Sequence, residues 1–358
     1  MRTTLLALAG AICALATAAG AGAVATPPFQ TVMTGLDNPR GLDWGPEGAL
    51  YVAEAGRGGT TPCFVTGRGL AFAGTTGAVS RLWQGSQERV VTGLPSYTTT
   101  PPGIASTGPH DIALLGRGNA RVSIGLGTEH DPALRAATCP GLGPMFGWLA
   151  QVPASGNWRL DADVAAYESA ADPDGTLFPH KDSNPYGLLA TPGATLVADA
   201  GGNDLLRVGA NDSIEALAVF PSRSNSTRGI DSVPTSVAVG PDGAYYVGEL
   251  ASFAPGQANV WRVVPGQAPT VVQSGFTTII DITFGADGTL YVLEWGPGNL
   301  WRVPAVGSRS LVATGLINPG SVTIGSDGAF YVSNCSIFPS TIPSPCGGFG
   351  GSVVRIPG

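Results

Sequence analysis

The chain has 358 residues, a net charge of −7 and only 12% charged residues, against 53 glycines and 30 prolines. This composition suits many short strands joined by tight turns better than long solvated helices. The positive charge is scattered arginines plus the single Lys181, without the basic patch or run that nucleic-acid binding requires.

Residues 1–25 begin Met-Arg, continue through an apolar stretch rich in Ala and Leu, and end in small residues, with Ala21-Gly22-Ala23 and Ala23-Val24-Ala25 as candidate cleavage sites. That is the pattern of a secretory signal peptide. Ile12 ahead of Cys13 argues against a lipoprotein signal, and no second hydrophobic run long enough to span a bilayer follows. The expectation is a secreted, periplasmic or extracellular monomer in which residues 26–358 form one domain. An oxidising compartment makes two disulfides the default for Cys63, Cys139, Cys335 and Cys346.

Beyond residue 38 the chain repeats an apolar strand, a Gly-containing turn and a second strand ending in a polar residue. The clearest copies are Pro234–Glu249 (PTSVAVGPDGAYYVGE), Ile280–Glu294 (IDITFGADGTLYVLE) and Pro319–Asn334 (PGSVTIGSDGAFYVSN). Another runs from Pro39 to Glu54, and weaker copies begin at Pro109 and Pro185, which makes six. Third strands often carry an Arg between apolar residues, as at Arg81, Arg207, Arg262, Arg302 and Arg355, and a fourth usually follows. Four short antiparallel strands per repeat make a propeller blade, so the fold class is all-β, a six-bladed β-propeller. The sixth repeat lacks a fourth strand after Ile356, whereas residues 29–34 precede the first repeat, and Val32–Leu36 matches Val312–Leu316. The N-terminal strand is therefore expected to pair with the last blade and close the ring.

In such a blade the start of strand one and the end of strand two share a face, here called the near face. The opposite-face turns are short, while the near-face connections 55–76, 128–144, 161–183, 222–232 and 334–351 are long. Binding and catalytic residues concentrate on long loops held by a rigid scaffold. Cys63 and Cys139 come from adjacent blades and Cys335 and Cys346 share one loop, which favours those two pairings. The segment 161–170 has an Asp cap and helical composition.

Second strands end in Glu54, Asp199, Glu249, Glu294 and Asn334, so five blades present an oxygen at a similar height. With Asn38, Asn184, Asp281 and Asn318 at the starts of first strands, these groups could hold a hard cation such as Ca²⁺, the candidate metal ligands being Glu54, Glu249, Glu294, Asp199 and Asp281. The competing role is to cap loop backbone amides, and the chain has no contiguous calcium-loop motif. His110 beside Asp111, His130 beside Asp131, and His180 near Asp182 and Asn184 belong to neighbouring blades and are candidate bases or metal ligands. No Gly-x-Ser-x-Gly nucleophile motif occurs. Blades one to three form the candidate ligand-binding sector, with Arg40, Glu54, His110, Asp111, Asn184 and Tyr186 at strand ends.

The strings Thr34–Leu42 (TGLDNPRGL), Tyr51–Gly56 (YVAEAG), Gly108–Ile112 (GPHDI), Ala166–Glu168 (AYE), Asp182–Leu188 (DSNPYGL), Val197–Val208 (VADAGGNDLLRV) and Val233–Gly243 (VPTSVAVGPDG) resemble the ScyD/ScyE family of secreted bacterial propellers. The resemblance spans nearly the whole mature chain and implies an exported propeller without assigned catalytic residues. More distantly, the repeat is similar to NHL-type and gluconolactonase-type propellers, although no residue set matches their metal ligands. The expected function is a binding or scaffold module for an extracellular small molecule, glycan or protein on the loop-rich face. The alternative is a Ca-dependent, lactonase-like hydrolase with its site at the channel mouth. A quinone-dependent sugar dehydrogenase would need a cationic cofactor pocket, for which Arg40 and Lys181 alone are too few.

Overall fold

The computed structural model describes residues 29–117, 119–129, 132–175, 181–224 and 229–358; the expected signal peptide, His130, Asp131 and His180 lie outside them. The chain is built of six blades around a central channel, a six-bladed β-propeller. Blade one uses Pro39–Trp44, Leu50–Glu54, Gly69–Trp83 and Ser86–Thr98. Blade two uses Pro109–Gly116, Asn119–Ile124, Trp148–Val152 and Arg159–Asp163. Blade three uses Pro185–Thr191, Ala194–Asp199, Asp204–Gly209 and Ile214–Val219, and blade four Pro234–Val239, Tyr245–Glu249, Ala258–Val263 and Thr270–Phe276. Blade five uses Ile279–Phe284, Leu290–Glu294, Leu300–Val303 and Ser310–Ala313.

Blade six takes Ser321–Ile324, Phe330–Asn334 and Gly351–Ile356 from the C-terminal end and its fourth strand, Gln30–Leu36, from the N-terminal end. The closing register pairs Gln30 with Arg355, Thr31 with Val354 and Met33 with Val353. Met33, Leu36 and Val353 are buried together with Val52 and Leu50 of blade one, so the clasp also joins the first blade to the last.

The opposite-face turns follow from their glycines. Gly48, Gly243, Gly288 and Gly328 have φ of 80°, 77°, 78° and 74°, a region that penalises any residue with a Cβ. In the first of these turns the Gly48 amide donates to the Gly45 carbonyl at 2.9 Å and the Gly45 amide to Ala49 at 2.8 Å, closing a four-residue loop. At the channel the constraint is space. A Cβ on Gly187 would lie 2.5 Å from the Thr235 carbonyl oxygen, so the first strands of blades three and four approach closely because that position is glycine.

The core lies between blades. Phe64, Tyr97 and Phe146 make three mutual edge-on contacts with centroids 5.2–5.6 Å apart, packed with Cys63 and Cys139 between blades one and two. Each such ring, fully buried, contributes about 1.5–3 kcal/mol. Both expected disulfides are present, Cys63–Cys139 and Cys335–Cys346.

Two near-face segments differ from the sequence expectation. Within 55–76 the third strand of blade one starts at Gly69 and pairs with Thr61–Thr66, so an apparent loop is a hairpin arm with its tip at Gly67 and Arg68. Residues 159–163 are the fourth strand of blade two, and the helix runs Val164–Ala171, capped by Asp163 rather than Asp161. The Asp163 carboxylate accepts the Ala166 amide at 2.9 Å, and the sheet claims the residues before it through pairs such as Leu149 with Ala162.

Candidate functional site

The polar residues that end second strands are tied into their own blades. Glu54 accepts the Asp37 amide, the Ser80 hydroxyl and two nitrogens of Arg89. Glu249 accepts Arg223, the Ser232 hydroxyl, the backbone and side-chain nitrogens of Asn259, and the Trp261 indole. Glu294 accepts the Thr277 amide, the Asn299 side chain and the Trp301 indole. Asp199 accepts the Ser183 hydroxyl and the amides of Asn184, Gly201 and Gly202, while Asn334 accepts the Ile317 amide. The amides of Asp37, Asn184, Thr277 and Ile317 all belong to the chain about to start the first strand of the same blade. These hydrogen bonds are those of the capping role, and they explain the repeated acid and the tryptophans of Val260–Val263 and Leu300–Val303.

Three first-strand aspartates latch neighbouring blades together around the channel. Asp43 accepts the Leu114 amide, Asp111 the Leu188 amide, and Asp281 the Val322 amide and Ser321 hydroxyl, each at 2.6–2.8 Å. Burial pushes Asp281 up to about 6. Asp111 lies well above the carboxylate range, through burial and then the nearby Asp281 charge. These residues line a cavity of about 280 Å³ that reaches Val239, Phe284 and Thr323 on the opposite-face side.

Of the expected ligand-binding set, the structure gathers Arg40, His110 and Tyr186 near the channel. His110 and Tyr186 pack ring against ring at a tilt with centroids 4.6 Å apart, and burial lowers the pKa of the Arg40 guanidinium, a shift the neighbouring Tyr186 phenol partly offsets. Asn184 and His110 flank Gly125, where a Cβ would meet the imidazole at 2.1 Å and the Asn184 amide oxygen at 2.8 Å. Asp111 lies against Gly41. Glu54 makes its hydrogen bonds with none of these five. His110 is 4% exposed, its Nδ1 is 3.3 Å from the Pro185 carbonyl oxygen, and burial with the Arg40 charge depresses its pKa to about 3. It is therefore neutral at physiological pH.

The near face carries a second polar concavity that the sequence reading did not single out. A cleft of about 440 Å³ lies between the hairpin tip at Gly67, the start of the blade-two loop at Gly127 and Thr128, and the blade-three and blade-four loops bearing Asp174, Asp182, Asn203 and Asp231. Burial, then the charge of Asp199, pushes Asp182 up to about 7. Asn203 bridges the loops, donating to Asp174 at 3.0 Å and accepting the Val233 amide at 3.0 Å. Val233, β-branched yet at φ 54°, is a strained position on the cleft wall. The Asp172-Pro-Asp-Gly175 string after the helix was the available signal, but it reads equally well as a turn. A larger cavity, about 520 Å³, opens on the opposite face between blades one and two, where Glu47, Trp83 and residues 153–156 line it.

The architecture defines the class, a six-bladed β-propeller, and solved structures share it. A putative oxidoreductase of the glucose dehydrogenase kind from Thermus thermophilus aligns at TM-score 0.56 and 16% identity over 92% of this chain and 99% of its own. A calcium-binding regucalcin from Agrobacterium tumefaciens aligns at 0.55 and 13% over 92% and 93%, and a streptogramin B lyase at 0.51 and 13% over 94% and 99%. At such identities the likeness establishes the fold alone. No protein-family model and no curated protein matches the sequence. Among the described residues no helix is long and apolar enough to cross a membrane.

Proposed function

We propose that this chain is an exported propeller of the ScyD/ScyE kind that serves as a binding module, holding a polyhydroxylated extracellular small molecule or glycan in the near-face cleft. The observation that carries the reading is the chemistry of the cleft. Asp174, Asp182, Asp231 and Asn203 offer hydrogen-bonding oxygens beside the glycine backbone of Gly127 and Gly201. Sugar hydroxyls donate well to carboxylates, and Asp182, at about 7, can also donate when protonated. The two disulfides support an oxidising, exported location.

The lactonase-like alternative would need a base and free metal ligands at the channel mouth. His110 is buried and, with its pKa depressed to about 3, only a weak base, and Asp111 and Asp281 already accept backbone amides. Saturation-transfer NMR with a panel of soluble oligosaccharides tests the proposal. Binding is expected, weakened at least tenfold by the pair Asp182→Asn and Asp231→Asn. A bound sugar mapping to the opposite-face cavity overturns it, and so does hydrolysis of a simple lactone that is lost in His110→Ala.

A further inference from the structure

Beneath the cleft, on the blade-three side, the fold buries carboxylates that have no partner. Glu168, on the last turn of the helix Val164–Ala171, is 1% exposed, and neither of its oxygens accepts a hydrogen bond. Asp204, the first residue of the third strand of blade three, is 0% exposed, and both of its oxygens are likewise unpaired. Both contrast with Asp199, equally buried, whose oxygens accept four donors. A buried carboxylate without a partner costs several kcal/mol, and like charges near it cost more, so such groups persist when protons or a cation neutralise them.

The surroundings favour a cation. Oxygens of Glu168, Asp172 and Asp174 lie within 4.8 Å of one another, a spacing from which one ion can reach all three. Asp204 is close enough to Glu168, Asp174 and Asp199 for their charges to act on it. The chain turns sharply to bring the second and third carboxylates round: Asp172 caps the helix at φ 47°, its amide donating to the Glu168 carbonyl at 2.9 Å. The C-terminal end of a helix is the negative end of its dipole and adds to the pull on a cation. Room for the Glu168 carboxylate depends on glycine, because a Cβ at Gly202 would lie 2.7 Å from Glu168 Oε2. The positive group nearby among the described residues is Lys181, half exposed, 3.6 Å from Asp172 and bonded to the Ser169 carbonyl. It leaves Glu168 and Asp204 unpaired.

We propose that Glu168, Asp172 and Asp174, backed by Asp204, bind one divalent hard cation, Ca²⁺ by preference. All the donors are oxygens, which excludes the softer transition metals, and Ca²⁺ tolerates the irregular, water-completed coordination that a helix end and a loop provide, where Mg²⁺ demands a near-ideal octahedron. The ion would fasten the helix and the loop after it onto blade three. Asp174 also lines the cleft, so the ion would shape the cleft wall. The site stands on the buried carboxylates and does not require the glycan reading.

The test uses the full mature chain stripped of metal with a chelator, titrated with CaCl₂ alone by calorimetry and by thermal melting. One ion per chain is expected, with an affinity in the roughly 0.1–1 mM range of extracellular sites or tighter, and with a rise in melting temperature. In Glu168→Gln the affinity falls at least tenfold and the thermal rise disappears, while the metal-free variant melts at or above the metal-free parent because a buried charge is gone. Asp281→Asn, in the channel, retains the parent's affinity. The proposal is overturned if the parent neither binds nor is stabilised by Ca²⁺, if Glu168→Gln binds like the parent, or if Asp281→Asn is the variant that loses the ion. Since no sugar is present, none of these outcomes bears on whether the cleft holds a glycan.

Discussion

Replacing Glu249 by Gln separates a loop-fastening carboxylate from one held in reserve for a ligand. Glu249 is 0% exposed and receives six hydrogen bonds: Arg223 Nη2 and both Asn259 nitrogens on Oε1, and Arg223 Nη1, the Ser232 hydroxyl and the Trp261 indole on Oε2. Glutamine is the same size, but whichever way its amide turns, an NH₂ faces three groups that were donating. Breaking a buried ion pair costs about 3–5 kcal/mol. The Arg223 side chain is 26% exposed and recovers part of its hydration, which lowers the expectation to about 2–4 kcal/mol. For a chain of this size that is a fall of roughly 3–6 °C in melting temperature, read by near-ultraviolet circular dichroism. Asp287→Asn, in an exposed opposite-face turn, is the control and should move the midpoint by about 1 °C or less. If Glu249→Gln melts with that control, the carboxylate is not fastening the loop and the capping argument for the second-strand acids fails.

Deleting residues 29–36 removes the strand paired with Gly351–Ile356 and uncovers a full strand edge, so the protein should aggregate or melt far lower; a soluble deletion as stable as the parent refutes closure. Loop-closure entropy ranks the disulfides. Cys63–Cys139, spanning 76 residues, should be worth about 4.5 kcal/mol and Cys335–Cys346, spanning 11, about 3 kcal/mol, so Cys63→Ser together with Cys139→Ser should lower the melting temperature more than the other pair of substitutions. Asp281 supplies a pH dependence. Its folded pKa, about 6, exceeds the usual 3.8, so between those values the native state binds more protons than the unfolded chain and stability falls as pH rises through 6. Melting temperatures measured across that window should therefore show Asp281→Asn gaining on the parent as pH rises; parallel curves would exclude a raised Asp281.

The propeller was legible because its signals are local and recur: turn glycines confined to positive φ, strand-length apolar runs, and an acid or amide at five of the six second-strand ends. Even the clasp could be read, since Val32–Leu36 carries the composition of a fourth strand found before the first blade. The candidate site was less legible for the same reason. Repetition marks what every blade needs, and Glu54, Asp199, Glu249 and Glu294 recur because each blade must hold the chain leading into its first strand. A residue serving one place in the ring has no counterpart to be aligned with. Glu168 and Asp204 stand 36 residues apart in the sequence, in a helix and a strand, and their common burial arises only when the helix after blade two lies against blade three. His110 shows what adjacency in sequence leaves out: its place beside Asp111 suggested a base or metal ligand, and alternation along the strand sends Asp111 to the Leu188 amide while His110 packs on Tyr186 beside Arg40. In a propeller, then, residues that break the repeat and yet are buried without partners are stronger indicators of a specific ligand than residues that keep it.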